Sequence, residues 1–356
     1  MIFELLSLLD RARFAPSLLV SKPGGFYLDR LPTDIPVIVL PSEQSLRGRY
    51  PLLRSLAAIW RTRPDVVFAT QRMILTIGSI APAFPRGTRL VLRQANDFTT
   101  DFGALIQTSL VKHRIAKFLS LACLRRADAV VCQSLAMQAD LRRHLGSQTR
   151  LHVIGNPVDL DVVARAAAAT PSDLPGEPAL VSVGRLAPQK GYDVLLPALK
   201  LLRAEYPRVH LTICGDGPDR EALEQQAQTL AIADAVSFVG FTSTPLPHVR
   251  AAKLFVLASR YEGFPNAALE ALACGTPVVL TDCPGANAEI VEPGVNGRLA
   301  ARVEPRAMAA AIAEALGDTY AREAIIDRCR ARFAAPQIVA RYEELFAAVA
   351  GGAPCE

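Results

Sequence analysis

Two carboxylates beside the start of a predicted helix form the densest candidate for chemistry in this sequence. Glu262 and Glu270 are separated by seven residues and flank a turn within segment 259–278. The segment is typical of a strand end, a loop, a helix with Asn266 as N-cap, and a second strand. Free amides at a helix N-terminus bind anions, and carboxylates accept hydrogen bonds from hydroxyl groups. The pattern predicts a ligand with a central diphosphate and a hydroxyl-rich group on either side, as in a sugar nucleotide.

Two cations precede this segment in a loop of their own. Arg185 and Lys190 lie between Gly184 and Gly191, directly after a predicted strand. Fixed positive charges stabilise the charge that develops on a leaving group, so the two cations could release a diphosphate without a metal ion. The alternative is that these residues bind no ligand. Arg185 and Lys190 would then be isolated surface cations, Glu262 a solvated loop residue, and Glu270 a helical residue favoured by the helix dipole.

Length and composition limit the protein class. A chain of 356 residues exceeds one ordinary core, since domains settle at roughly 100–200 residues, so two domains are expected. Hydrophobic residues make up 51% and charged residues 21%, which excludes a disordered chain. The seven cysteines are scattered without metal-binding or redox spacing. No apolar run of about 18 residues and no signal-peptide pattern occurs, so we expect a cytoplasmic protein with reduced thiols.

Charge is distributed unevenly along the chain. Residues 1–160 carry 21 Lys and Arg against 11 Asp and Glu, a net +10, and residues 161–356 carry 18 against 23, a net −5. The basic half indicates an anionic partner, for which nucleic acid and membrane phosphates are both candidates.

Short β-branched runs alternate with helical patterns in both halves, which is typical of parallel βαβ units. The sequence therefore predicts two doubly wound α/β domains. The predicted strands cover residues 17–20, 36–39, 65–69, 89–92, 128–132, 151–154, 179–183, 209–214, 236–239, 254–258 and 277–280.

Domain limits follow from these patterns. We expect a first Rossmann-like domain over residues 1–163, a linker over 164–178 and a nucleotide-binding domain over 179–335. Residues 336–356 are predicted as a C-terminal helix that packs back on the first domain. Residues 1–10 already read as helical, so the first strand of an open α/β domain is missing. A truncated chain and a misplaced start site are both open explanations.

Several motifs together resemble the retaining family-4 glycosyltransferases, and the resemblance extends over nearly the whole chain. The motifs are Asn156-Pro157-Val158-Asp159, Gly215-Asp216-Gly217-Pro218 after a strand, the spaced pair Glu262 and Glu270, and residues 285–289 before a short helix.

The resemblance implies the GT-B fold, in which two Rossmann-like domains face a cleft, and a sugar donor site in the second domain. It implies that Arg185 and Lys190 hold the diphosphate, that Glu262 binds hydroxyls of the transferred sugar, and that Glu270 binds the ribose. Gly184 belongs to the same loop as the two cations, and Gly240 would lie near the base. The sugar and phosphate pocket would be lined by Gly263, Phe264, Pro265 and Asn266.

The acceptor side departs from the family pattern. The family often has a His-Asp pair after a central strand, and here the matching stretch contains Arg93, Asn96 and Asp97, with Asn96 where the His would stand. Asn cannot relay a proton. Retaining members are thought to pass the acceptor proton to the leaving phosphate, so the reaction need not be lost.

Residues 102–127 contain no acidic residue and read as a long basic amphipathic helix. We favour a packed domain helix with a solvated basic face. The alternative is docking on anionic lipid, where a lipid-linked acceptor would be presented.

The sequence thus predicts a retaining transferase that moves a hexose-type sugar from a nucleotide diphosphate to a cell-envelope polysaccharide, lipopolysaccharide or lipid-linked acceptor. We expect no metal, no cofactor and no nucleic-acid partner, and a location in the cytoplasm with peripheral contact to the inner face of the membrane. The alternatives are a GT-B nucleotide-sugar epimerase and an inactive sugar-nucleotide-binding protein.

Overall fold

The computed structural model describes most of the chain in two compact units. The described residues are 1–20, 24, 28–40, 52–70, 73–100, 110–147, 150–168 and 174–352, without the side chains of 110–113. The first unit comprises Met1–Pro157 together with Ala335–Glu356, and the second comprises Val158–Ala334. The chain therefore passes from one unit to the other twice.

Parallel strands and helices alternate through both units. The strands are β1 Leu18–Val20, β2 Val37–Val39, β3 Val66–Thr70, β4 Arg89–Arg93, β5 Ala129–Cys132, β6 Leu151–Val153, β7 Ala179–Val183, β8 His210–Cys214, β9 Val236–Gly240, β10 Leu254–Leu257, β11 Val278–Thr281 and β12 Gly297–Ala300. The helices are α1 Ile2–Leu8, α2 Leu52–Thr62, α3 Met73–Ile80, α4 Leu110–Arg126, α5 Leu135–Leu145, α6 Leu160–Ala168, α7 Tyr192–Leu202, α8 Arg220–Thr229, α9 Leu246–Ala251, α10 Asn266–Ala273, α11 Asn287–Ile290, α12 Pro305–Gly317, α13 Arg322–Phe333 and α14 Ala335–Ala350.

The first unit is built on a four-stranded parallel sheet in the order β3-β4-β5-β6, and β1 and β2 form a separate parallel pair. Its central strands are buried on both faces, since Val91 and Leu92 on β4 are both fully covered. Val91 packs with Tyr342 and Phe346 of α14, whereas Leu92 packs with Leu124 of α4. The C-terminal helix α14 thus belongs to the core of the first unit.

The second unit is a six-stranded parallel sheet in the order β12-β11-β10-β7-β8-β9. β7 pairs with β10 on one side and with β8 on the other. Because parallel strands end at the same edge of a sheet, the loops that follow β7 and β10 leave it side by side. This adjacency places the two candidate segments of the sequence next to each other.

The predicted architecture of doubly wound α/β units is confirmed, and each of the eleven predicted strands is present with its ends shifted by at most one residue. The strand β12 was not predicted. The predicted linker is wrong over residues 164–168, which belong to α6, because Val163 and Ala167 of that helix are buried in the core of the second unit. Residues 169–173 of that linker lie outside the described residues.

No helix within the described residues combines the length and the apolar character needed to cross a lipid bilayer.

The buried centre of the first sheet should be sensitive to truncation. Leu92→Ala removes a fully buried side chain from β4 and should lower the free energy of unfolding by about 2–5 kcal/mol, because it leaves a cavity. Leu53→Ala is the matched control, since Leu53 is 81% exposed on α2 and should change stability by less than about 0.5 kcal/mol. Urea unfolding measures both, and equal losses would contradict this description of the core.

Candidate active site

A lysine and a buried glutamate meet at the carboxyl edge of the second sheet. Lys190, in the loop after β7, donates through Nζ to Glu262 Oε1 at 2.6 Å, and Ser259 Oγ donates to the same oxygen at 2.6 Å. Glu262 follows β10 and is only 5% exposed. Its second oxygen, Oε2, makes no hydrogen bond within the described residues. One oxygen is therefore fixed by the protein, and the other is available to a ligand.

The two loops that carry this pair are joined by a second set of contacts. The backbone N–H of Arg260 donates to the carbonyl of Gln189 at 2.8 Å, and Gln189 Nε2 donates to the carbonyl of Tyr261 at 3.0 Å. Arg260 also binds the Asp193 carboxylate through both terminal nitrogens at 2.8 and 2.6 Å. The hydrogen bonds from Arg260 hold the pKa of Asp193 below its usual value. The loops are thereby fixed to the first turn of α7.

Glycine is required where the backbone approaches this pair. A Cβ on Gly191 would lie 1.9 Å from the carbonyl oxygen of Ala258, and its φ is +65°. A Cβ on Gly285 would lie 1.8 Å from the carbonyl oxygen of Glu262, and its φ is +131°. The backbone N–H of Glu262 donates to the carbonyl of Pro284 at 2.9 Å. Side chains at the two glycines would push apart the loops that position Lys190 and Glu262.

The helix α10 begins at Asn266, and the residue before it is Pro265. The expected side-chain cap by Asn266 is wrong: the carbonyl of Pro265 accepts from the N–H groups of Ala268 and Leu269 instead, and no side chain caps the helix. Phe264 packs edge-on against a ring of α13, which fixes the loop ahead of the helix. Among the described residues no side chain caps the start of α10, whose dipole thus has its positive end at the loop that carries Glu262.

The remaining donor-side candidates are spread along the same edge. Gly184 follows β7, Gly240 ends β9, and the buried Gly263 directly follows Glu262. Arg185 is exposed and makes no hydrogen bond or ion pair within the part of the chain that the structure describes. Glu270 is half-buried in the second turn of α10. The structure thus brings Lys190 and Glu262 into contact and shows no contact between Glu262 and Glu270.

The acceptor-side candidates lie at the carboxyl edge of the first sheet. Arg93 is the last residue of β4 and is buried, with Nη2 2.6 Å from Asn156 Oδ1 and Nη1 3.2 Å from Thr70 Oγ1. Asn96 is half-buried in the loop that follows.

Asp97 is tied into the start of a helical turn. Its Oδ1 accepts from the N–H and the hydroxyl of Thr100, at 2.9 and 2.7 Å. Burial, together with the neighbouring Asp140 carboxylate, raises the pKa of Asp97. Burial also acts to raise the pKa of Asp140, but hydrogen bonds from Thr99 and Arg143 outweigh it and leave that pKa lowered.

Comparisons with known proteins match both units. Residues 1–162 match the family described as Glycosyltransferase Family 4, and residues 164–332 match Glycosyl transferases group 1. The chain belongs to the family-4 glycosyltransferases.

Relatives of this glycosyltransferase include enzymes of envelope synthesis. It is 31% identical to the lipopolysaccharide core biosynthesis glycosyltransferase LpsE of Rhizobium meliloti, over 58% of this chain and 59% of LpsE. It is 28% identical to a GDP-mannose-dependent phosphatidylinositol monomannoside mannosyltransferase of Mycolicibacterium smegmatis, over 78% and 77% of the two chains. The first four curated relatives are matched over 25–59% of their own lengths.

A solved structure shares the fold of the glycosyltransferase. Anabaena HepE, crystallised with UDP, superposes with a TM-score of 0.76 at 22% identity, over 98% of this chain and 95% of HepE. The likeness confirms the GT-B fold, with two Rossmann-like domains.

Two supports of the site were missed by the sequence analysis. Arg260 and Asp193 form one of them, and a buried chain of hydrogen bonds forms the other. In that chain Thr281 Oγ1 donates to the carbonyl of Ser259 at 2.5 Å, and Asn287 Nδ2 donates to the carbonyl of Thr281 at 2.9 Å. The chain connects the ends of β10 and β11 with the start of α11 and holds Ser259 beneath Glu262.

The close approach at Gly285 gives a direct test of the site's architecture. Gly285→Ala should lower the free energy of unfolding by at least about 2 kcal/mol, because its Cβ would overlap the backbone of Glu262. Gly317→Ala is the control, since a Cβ there meets nothing within 4 Å at the end of α12 and should be neutral or stabilising. Thermal unfolding compares the two, and a neutral Gly285→Ala would refute the close packing of these loops.

Proposed function

We propose that this transferase moves a hexose-type sugar from a nucleotide diphosphate to a cell-envelope acceptor, with retention of the anomeric configuration. The acceptor is a polysaccharide, a lipopolysaccharide or a lipid-linked glycan. The observation that carries the proposal is the Lys190–Glu262 pair beside the uncapped start of α10. The binding of UDP by HepE supports a nucleotide-sugar donor, and the names of the relatives support an envelope acceptor.

Lys190 and Glu262 contact different parts of the donor, the diphosphate and the sugar. An ammonium group has three N–H donors, so Lys190 can keep its bond to Glu262 Oε1 and still bind a phosphate oxygen. The open Oε2 accepts a hydrogen bond from a hydroxyl of the transferred sugar. Arg185 adds a second cation, and the amides at the start of α10 add partial positive charge. Glu270 serves the ribose, and the backbone at Gly240 lies near the base.

The reaction breaks the bond between the anomeric carbon and the diphosphate oxygen. The acceptor oxygen attacks from the face that the diphosphate leaves, and its proton passes to the leaving phosphate. Lys190, Arg185 and the start of α10 stabilise the negative charge that grows on the diphosphate, in place of a metal ion. Because the leaving group takes the proton, Asn96 and Asp97 are not needed as a base.

Removing either member of the pair should abolish transfer. Glu262→Ala and Lys190→Ala should each lower kcat by about 100-fold or more, because the first removes the acceptor for a sugar hydroxyl and the second removes a cation that stabilises the leaving diphosphate. Lys200→Ala removes an exposed lysine of α7 and should leave kcat unchanged. Release of nucleoside diphosphate measures all three, and activity should persist in EDTA.

Wild-type turnover by both pair variants would refute their roles. A panel of radiolabelled sugar nucleotides, with and without a lipid-extract acceptor, separates transfer from donor epimerisation and from binding alone. NMR of the product tests retention, and an inverted anomeric centre would contradict the proposed one-face reaction.

We also propose that α4 docks on an anionic membrane surface. Its inner side packs in the first unit through Cys123 and Leu124, so the helix is a domain element, as we favoured. Its outer side exposes Ile115, Phe118 and Leu119, the second of them 67% exposed. The charged groups beside them are basic, and residues 110–126 contain no carboxylate. Apolar side chains bordered by cations fit a bilayer with anionic headgroups better than water alone.

Exchanging two of the exposed apolar residues should weaken this docking. The double variant Ile115→Ser and Phe118→Ser should bind anionic vesicles at least about tenfold more weakly, because less apolar surface enters the bilayer. Leu53→Ser, exposed on α2, is the control and should bind like the wild type. Liposome sedimentation measures the bound fraction. Equal binding of the wild type to neutral and anionic vesicles would contradict the docking proposal.

A further inference from the structure

Arg93 lies across the carboxyl ends of the first sheet instead of pointing into solvent. It is the last residue of β4 and is only 4% exposed. Its Nη1 reaches Thr70 at the end of β3, and its Nη2 reaches Asn156, which follows β6. The guanidinium therefore spans the edge at which doubly wound sheets bind their ligands.

The charge of this guanidinium has no anionic partner. Within the described residues Arg93 forms no ion pair, and its polar contacts are the hydroxyl of Thr70 and the side-chain amides of Asn156 and Gln133. Its Nε is buried and makes no hydrogen bond of good geometry within the described residues, and the neutral hydroxyl of Tyr342 lies close to the guanidinium. Burial lowers the pKa of Arg93, but a guanidinium stays protonated in proteins. A buried positive charge among neutral groups is unfavourable unless an anion approaches it.

The surroundings of Arg93 suit such an anion. Gln94, Gln133 and Asn156 are buried polar side chains at the same edge. β5 leads through Gln133 into α5, whose start is already capped by Ser134 Oγ, which accepts from the N–H of Met137 at 3.1 Å. Two features therefore coincide: a buried guanidinium without an ion pair among the described residues, and amide side chains that bond oxygen atoms.

We propose that the carboxyl edge of the first sheet binds an oxyanion, a phosphate or a carboxylate, with Arg93 as its counter-charge. The oxyanion accepts hydrogen bonds from the guanidinium and neutralises its charge. The further assignment of this group to the sugar acceptor rests on the proposed function. The anion site itself does not, since it is defined by the first unit alone.

Thermal unfolding in matched salts tests the site directly. Sodium phosphate, sodium acetate and sodium chloride are compared at equal ionic strength, so that a shift beyond chloride reports specific binding. A Lys190→Ala background weakens phosphate binding in the second unit. We expect phosphate or acetate to raise Tm by about 2–4 °C over chloride. The salt that raises Tm identifies the oxyanion: sodium phosphate indicates a phosphate, and sodium acetate indicates a carboxylate.

Two arginines on one strand provide the comparison. Arg93→Gln should remove the anion-specific shift. Arg89→Gln should keep it, because Arg89 lies at the other end of β4 and pairs with Asp128 at 3.2 Å. Arg93→Lys keeps the positive charge and should keep part of the rise in Tm. This variant tests the site even if Arg93→Gln folds poorly.

The proposal is overturned if neither salt stabilises the parent chain more than chloride does, or if Arg93→Gln keeps the full shift. The latter result would mean that Arg93 only connects the ends of the strands through its hydrogen bonds to Thr70 and Asn156. If the wild-type protein transfers no sugar but Tm still rises in phosphate or acetate over chloride, the proposed function is refuted and the anion site stands.

Discussion

The ion pair between Lys190 and Glu262 is the constraint on which the second unit's site depends. A lysine 2.6 Å from a buried carboxylate requires two loops to meet, and they meet because β7 and β10 are neighbours in one parallel sheet. Two close backbone approaches then admit only glycine, at Gly191 and Gly285. The pair also resolves an electrostatic conflict. A carboxylate beside a diphosphate site would repel its ligand, but a shared ammonium group neutralises it and leaves one oxygen for a neutral hydroxyl.

The first unit handles charge in the opposite way. Its sheet ends in Arg93, a buried cation held by neutral groups, and burial raises the pKa of Asp97. In the second unit Lys190 is thus paired before a ligand arrives, whereas Arg93 of the first unit is a buried cation that a ligand could pair. Such a division suits a transferase whose donor chemistry is common to a family and whose acceptor differs from one member to another.

The sequence predicted local structure well and long-range contacts poorly. Strands were predictable because each is a short apolar run bounded by turn residues, but β12 contains Gly297 and Arg298 and lacks that pattern. Residues 164–168 were taken as linker because alanine repeats beside prolines resemble one, while burial of Ala167 shows a helix. The family resemblance implied that Glu262 and Lys190 belong to one donor site, although not that they form an ion pair. The bond between Arg260 and Asp193 could not, because it joins residues 67 apart whose proximity arises only from sheet order.

The most direct measurement of the central claim is a crystal structure with an unreactive nucleotide diphosphate sugar bound. The account predicts a sugar hydroxyl within about 3.2 Å of Glu262 Oε2, with Lys190 Nζ at a similar distance from a diphosphate oxygen. It also predicts that Lys190 keeps its contact with Glu262 Oε1. A donor bound elsewhere, or bound here with neither side chain in contact with it, would contradict the account.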